Sequence, residues 1–173
     1  MTEATHDGLP LRRKAVLIVA IVVAIVVLDL ATKAWVERTM ASEPPRHYLG
    51  DTVRLGYVLN SGVFLSLGHT LSPTVRFWLF VVGVSAVLVT LLVLTLTDAR
   101  FRLPEIVAVA AIVGGGIGNL ADRIRLGAVR DFMNVGIGPV RTGVFNVADM
   151  AITFGGIALL LIPLLKKRTP AGP

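Results

Sequence analysis

The sequence predicts a mainly α-helical membrane protein, with four transmembrane helices and a small outer β-sheet between the first and second. Three observations lead there. Of 173 residues, 54% are hydrophobic and only 16% charged, against roughly 25% charged in an ordinary soluble domain. A mean hydropathy of +0.78 gives this short chain more apolar side chain than the interior of a soluble globule holds, because small domains have much surface per volume. The apolar residues also gather into runs that match a hydrocarbon core of about 30 Å, which takes about 20 helical residues to cross.

The first run covers about 15–36 and the second about 77–97. The third, about 103–120, is shorter and rich in glycine, and its Pro104 suits a first helical turn, where the missing N–H is not needed. The fourth covers about 144–165. A cleavable signal peptide is a poor account of the first run, because Asp29 and Lys33 interrupt it, no small-x-small site closes it cleanly and three further spans follow. Residues 1–10 and 168–173 read as disordered tails of a single membrane domain. Four spans place both termini on one side. Arg12, Arg13 and Lys14 precede the first span, Arg100 and Arg102 join the second to the third, and Lys166, Lys167 and Arg168 follow the fourth. The positive-inside rule makes that side cytoplasmic and leaves 37–76 and 121–143 outside. Within the first outer segment, 52–60 alternates, with Val53, Leu55, Tyr57 and Leu59 on one face and Arg54, Gly56 and Asn60 on the other. That is a strand pattern, which Val63-Phe64-Leu65 would extend along the outer leaflet.

Net charge is +6, with 17 Lys and Arg, but these are scattered among apolar runs and suit lipid headgroups and loop topology rather than nucleic acid. The absence of cysteine removes disulfides, thiolate catalysis and Cys-ligated zinc. Any chemistry must use oxygen, histidine or amide groups, and no metal or cofactor is expected.

A charged or amide side chain inside a span costs about 2.5–3.5 kcal/mol, so each needs a partner or a purpose. Asp29 and Lys33 lie four apart on one helix face, acid first; the structural account is a helix-end pair with Lys33 snorkelling outward beside Trp35. The Gly114-Gly115-Gly116-Ile117-Gly118 run allows close helix approach. Packing does not account for Asn119, Asp122 and Arg123. Asn119 and Arg123 are four apart and share a face near the outer boundary, where Asp122 offsets charge.

Two further acids sit at the ends of facing elements, Asp131 in Val129-Arg130-Asp131-Phe132 and Asp149 in Phe145-Asn146-Val147-Ala148-Asp149. Asn146 and Asp149, three apart, are expected on one helix face about a turn inside the span. Converging carboxyls share a proton, because burial and mutual repulsion raise one pKa while the other group stays ionised. Such a pair activates water against an amide: the carboxylate takes the water's proton while the acid polarises the carbonyl. The competing account has each acid capping a helix or pairing with Arg123, Arg125 or Arg130. Other hydrolytic schemes lack their residues. His6, His47 and His69 form no His-Glu-x-x-His, Ser61 and Ser66 lie in no Gly-x-Ser-x-Gly, and Gly116-Ile117-Gly118-Asn119 has an amide where Gly-x-Gly-Asp proteases have an acid. The rival functions are a small proton- or cation-coupled transporter using Asp29, Asp122 and Asp149, and a non-catalytic assembly protein whose charges only hold helices together.

Four ordered blocks, Asp29-Leu30-Ala31-Thr32-Lys33, Asn60-Ser61-Gly62, Gly118-Asn119-Leu120-Ala121-Asp122-Arg123 with Val129-Arg130-Asp131-Phe132, and Phe145-Asn146-Val147-Ala148-Asp149, resemble the lipoprotein signal peptidases (signal peptidase II) over nearly the whole chain. The resemblance implies a four-helix aspartyl peptidase of the bacterial inner membrane, acting at the periplasmic face; a monomer is the expected state. It would cleave diacylglyceryl-modified prolipoproteins just before the lipidated cysteine, in contact with membrane lipids. By that resemblance Asp131 and Asp149 form the catalytic dyad. Asp29, Asn60, Asn119, Arg123 and Asn146 line the site and hold substrate backbone, supported by Lys33, Gly62 and Asp122. The chain departs from the family pattern at Leu30, Val63-Phe64-Leu65 and Met150, none of which replaces an acid or a named amide; bulk near Gly62 bears on substrate choice.

Overall fold

The computed structural model describes residues 9–62 and 70–166. The two tails beyond them and the segment Val63-Phe64-Leu65 lie outside the described residues. Helix α1 spans Leu11–Met40; strands β1 (Arg46–Tyr48) and β2 (Val53–Asn60) follow. A second helical rod runs from Pro73 to Thr97 as α2 (Pro73–Phe77), a π-helical segment (Trp78–Gly83) and α3 (Val84–Thr97). Then come α4 (Leu103–Leu126), β3 (Val129–Ile137), β4 (Val140–Arg141) and α5 (Val147–Lys166). Among the described residues, four helical rods are long and apolar enough to cross a membrane, and a small antiparallel sheet accompanies them.

Helix α4 is the centre of the bundle. Most of its apolar stretch is buried, whereas the other three rods turn most of theirs outward. Consecutive helical residues are rotated by about 100°, so successive glycines serve different neighbours. A Cβ on Gly114 would meet Ile25 of α1, one on Gly115 the Ala148 carbonyl of α5, one on Gly116 the Leu88 side chain of α3, and one on Gly118 the Asp29 carboxylate. The run admits three helices at once.

At 30 residues and 1.5 Å per residue, α1 is about 45 Å long and outruns the hydrocarbon core. One face of it buries Asp29, Lys33, Val36 and Met40 at helical spacing. The outer pair, Val36 and Met40, packs with Phe132, Leu55, Tyr57, Met133 and Val147 to seat the sheet. At the other end the buried Lys14 donates to the Thr95 and Asp98 carbonyls at 3.1 and 2.8 Å, satisfying groups that the end of α3 leaves open.

The sheet has the order β1-β2-β3-β4, so it draws on both outer segments rather than only the first. The sequence reading had no strand at Val129–Ile137. The physical reason is that Val129, Arg130, Asp131 and Phe132 are all buried, so both faces of the strand are covered and the polar/apolar alternation of a half-exposed strand is missing. The helices also run past the expected spans, α1 by four residues at each end and α4 by six at its outer end. Helix α4 stops at Gly127, which holds φ 69° and donates its N–H to the Arg123 carbonyl at 3.0 Å. Glycine adopts this left-handed end without a Cβ penalty. The chain then turns directly into β3 beside the helix it has left.

Candidate active site

Strand β3 sorts the site by alternation. Neighbouring strand residues fall on opposite faces, so Arg130 and Phe132 point one way and Asp131 the other. Asp131 stands opposite Val58 in the β2 register, which places Asn60, two residues on, as its diagonal neighbour on the same face. Asn60 Nδ2 donates to Asp131 Oδ2 at 2.9 Å, and its Oδ1 accepts from the Gly62 N–H at 3.0 Å.

Asn146 caps α5 instead of riding on it. Its Oδ1 accepts from the Asp149 N–H at 2.9 Å, while Asp149 Oδ2 accepts from the Asn146 N–H at 3.2 Å. This is a reciprocal capping box, with aspartate in the place more often taken by glutamate. The cap leaves the Asn146 amide free to donate elsewhere. Nδ2 lies 2.6 Å from Asp131 Oδ1 and 3.1 Å from Asn119 Oδ1. One residue thus binds both acids, Asp131 through its side chain and Asp149 through its backbone. Asn119 Nδ2 completes the set by donating to Asp149 Oδ1 at 2.8 Å.

Beneath these groups lies a ladder of buried charge. Lys33 is fully buried and does not snorkel: its Nζ meets Asp29 Oδ2 at 2.7 Å, Asp122 Oδ2 at 3.3 Å and Asn119 Oδ1 at 3.0 Å. Two carboxylate oxygens and one amide oxygen surround the ammonium, so its charge is balanced inside the protein. Once such a group is satisfied, there is no gain in reaching for water, and Trp35 points outward alone. Asp122 offsets Arg123 only through space and does not pair with it. It takes Arg130 through Nη2 at 2.6 Å, Nε at 3.1 Å and the backbone N–H at 3.0 Å, and Arg130 continues to Glu37 at 2.8 Å. Asp29 Oδ1 accepts the Ala148 N–H at 2.9 Å, an anion set at the N-terminus of α5, where the helix dipole favours it. Arg123 instead donates to the Gly62 carbonyl at 3.0 Å and lies 5.7 Å over the Phe80 ring.

The two candidate acids therefore sit in an amide frame, and the pKa of Asp131 is pushed up to about 6, first by burial and further by the charge of Asp149, against the opposing hydrogen bonds of Asn60 and Asn146. Asp29, Lys33, Asn60, Gly62, Asn119, Asp122, Arg123, Asp131, Asn146 and Asp149 are all brought into this assembly. Asp29, Lys33 and Asp122 lie under it, committed to protein partners. Sequence reasoning missed Glu37 and gave Arg130 only a general role. The four-residue steps from Asp29 to Lys33 and on to Glu37 were the available signal. With Asp29 and Asp122 each balanced by a buried cation, nothing favours an ion relay through the bundle.

A membrane bundle carrying two carboxyls in a shared amide network is the architecture of a membrane-embedded aspartic peptidase. The family model described as Signal peptidase (SPase) II matches residues 21–165, and the chain belongs to that family. Among similar proteins, the lipoprotein signal peptidase of Syntrophomonas wolfei is 36% identical over 141 residues, covering 82% of this chain and 88% of that one. That of Streptomyces griseus is 31% identical over 157 residues, covering 87% and 74%. A solved bacterial membrane enzyme superposes with a TM-score of 0.75 at 28% identity, covering 90% of this chain and 91% of the other.

Proposed function

We propose that this protein removes signal peptides from diacylglyceryl-modified prolipoproteins, hydrolysing the bond N-terminal to the lipidated cysteine, with Asp131 and Asp149 as its catalytic dyad. The observation that carries the assignment is Asn146, which holds Asp131 Oδ1 and Asp149 Oδ2 at once. Asp131 holds the proton, since burial pushes its pKa up to about 6. Asp149 takes a proton from water, whose oxygen adds to the scissile carbonyl while Asp131 protonates the carbonyl oxygen. On collapse the proton on Asp149 passes to the leaving nitrogen and a hydroxyl proton returns to Asp131, so the dyad ends as it began. Asn60, Gly62, Asn119, Arg123 and Asn146 are the groups that meet substrate backbone. Asp29, Lys33 and Asp122 act from below.

The orientation that fits places both termini in the cytoplasm and the sheet outside the inner membrane, because Arg12, Arg13, Lys14, Arg100 and Arg102 gather at one end of the bundle. The lipidated substrate then arrives within the bilayer, its acyl chains against the outward-facing helices and its scissile bond at the start of α5. A single copy supplies every group named, so a monomer suffices.

The test is the full chain in lipid nanodiscs with a diacylated lipobox peptide, products read by mass spectrometry. The wild type yields one cut before the modified cysteine; Asp131→Asn and Asp149→Asn yield none. Cleavage by both variants at the parental rate would remove the dyad, and ion flux without cleavage in proteoliposomes would replace the peptidase by a transporter.

A further inference from the structure

The segment leaving β2 is held at three successive residues by three different elements. Asn60 is bound to Asp131 of β3. Gly62 offers its carbonyl to Arg123 of α4 at 3.0 Å. Ser61 offers its carbonyl to Arg76 Nη1 at 3.2 Å, and Arg76 lies in α2, at the outer end of the second rod. Helix α2 is a firm base for it: Ser72 Oγ accepts from the Val75 N–H at 3.3 Å, and the Arg76 N–H reaches the Ser72 carbonyl at 3.0 Å. Arg76 and Arg123 line one cavity of about 170 Å³ with Ser61, Phe77 and Phe80. Two guanidinium groups from two helices thus grip adjacent carbonyls on the residues that follow Asn60. Asn60 is the last residue of β2, paired with Val129, and Ser61 and Gly62 lie just beyond the strand, so this grip sets the direction of the chain as it leaves Asn60.

We propose that Arg76 is a positioning residue for hydrolysis, holding Ser61 so that the Asn60 amide stays on Asp131. The proposal rests on the dyad reading above. Arg76 touches neither acid and acts only through the 60–62 segment. A charge-assisted hydrogen bond from a fixed helix suits that task, because it limits the motion of a short loop while leaving the amide aligned. A displaced Asn60 slows the chemical step and leaves binding of the lipid anchor unchanged.

The experiment compares Arg76→Met and Arg76→Lys in the full chain in nanodiscs, with a diacylated lipobox peptide, over pH 5–9. In Arg76→Met, kcat falls about 10-fold with KM within about 2-fold. The alkaline limb of kcat/KM moves to higher pH, because a hydrogen bond favouring ionised Asp131 has weakened. Arg76→Lys restores most of kcat, since an ammonium still donates to the Ser61 carbonyl. On an Asn60→Ser background, Arg76→Met costs less than 2-fold, because what it positions is gone. Equal losses on both backgrounds, or a lower melting temperature with kcat and pH limb unmoved, overturn the proposal. If Arg76→Met does not fold, Arg76→Gln replaces it and is read by the same limb, which moves to higher pH if the proposal holds and stays in place if it does not. An active Asp131→Asn enzyme would instead overturn the dyad reading on which this one stands.

Discussion

Lys33 Nζ donates to Asn119 Oδ1 across 3.0 Å, and this contact fixes which way the Asn119 amide faces. With its oxygen turned to Lys33 and to Asn146 Nδ2, its nitrogen must face Asp149. A buried cation thereby orients the Asp149 carboxyl, which it never touches. Lys33→Met removes the cation between Asp29 and Asp122, and breaking a buried pair costs about 3–5 kcal/mol. Melting in detergent measures this. Adding Asp29→Asn recovers most of the stability, because the uncompensated charge is gone and the Ala148 N–H keeps an acceptor. Activity stays low in the double variant, since Asn119 Oδ1 then keeps only the Asn146 Nδ2 donor to orient it.

Asn146 has two separable jobs. Asn146→Ala loses the helix cap, worth about 1 kcal/mol, together with the donor to Asp131. Asn146→Ser keeps a capping oxygen for the Asp149 N–H but has no amide for Asp131 and Asn119. Serine should return melting to within about 1 kcal/mol of the parent while peptide cleavage stays about 100-fold down. Recovery of activity along with stability would reduce Asn146 to a cap.

The raised Asp131 pKa has two readouts. In kcat/KM the alkaline limb should fall with an apparent pKa near 6 or higher, a value belonging to the pair. In stability the sign follows from a folded pKa of about 6 against about 3.9 unfolded. The contribution is fully present below pH about 3.9 and is lost as pH rises through about 6. Asp131→Asn should therefore be inactive yet melt at least as high as the parent at pH 8.

Packing around α4 offers a matched pair of substitutions. A Cβ at Gly115 would run into the Ala148 carbonyl and come within 2.9 Å of Ile152 Cγ1, whereas one at Gly156 meets nothing within 4 Å. Gly115→Ala should cost about 1–3 kcal/mol and push α5, with Asp149 in its first turn, off the site. Gly156→Ala should match or slightly exceed the parent, as alanine favours helix. Melting temperatures and turnover for the two read both effects.

Much of this molecule was legible in one dimension. Apolar run length determined the four rods, because crossing a bilayer demands an internally hydrogen-bonded helix of set length. Alternation from Val53 to Asn60 determined a strand, the expense of charge in hydrocarbon marked Asp29, Lys33, Asn119 and Asp149 as residues with a purpose, and Asp122 and Asp131 stood out at the outer ends of their elements. What only the tertiary structure decided is who meets whom. Asp122 lies next to Arg123 in the chain but pairs with Lys33 and Arg130. Lys33 turns inward, and β3, buried on both faces, joins β2 across 71 residues between Asn60 and Asp131. Partner choice depends on burial and on the direction of each Cα–Cβ bond, which close packing around α4 sets and residue spacing does not. The same sequence that makes charge scarce enough to notice leaves to the fold the assignment of each charge to its partner.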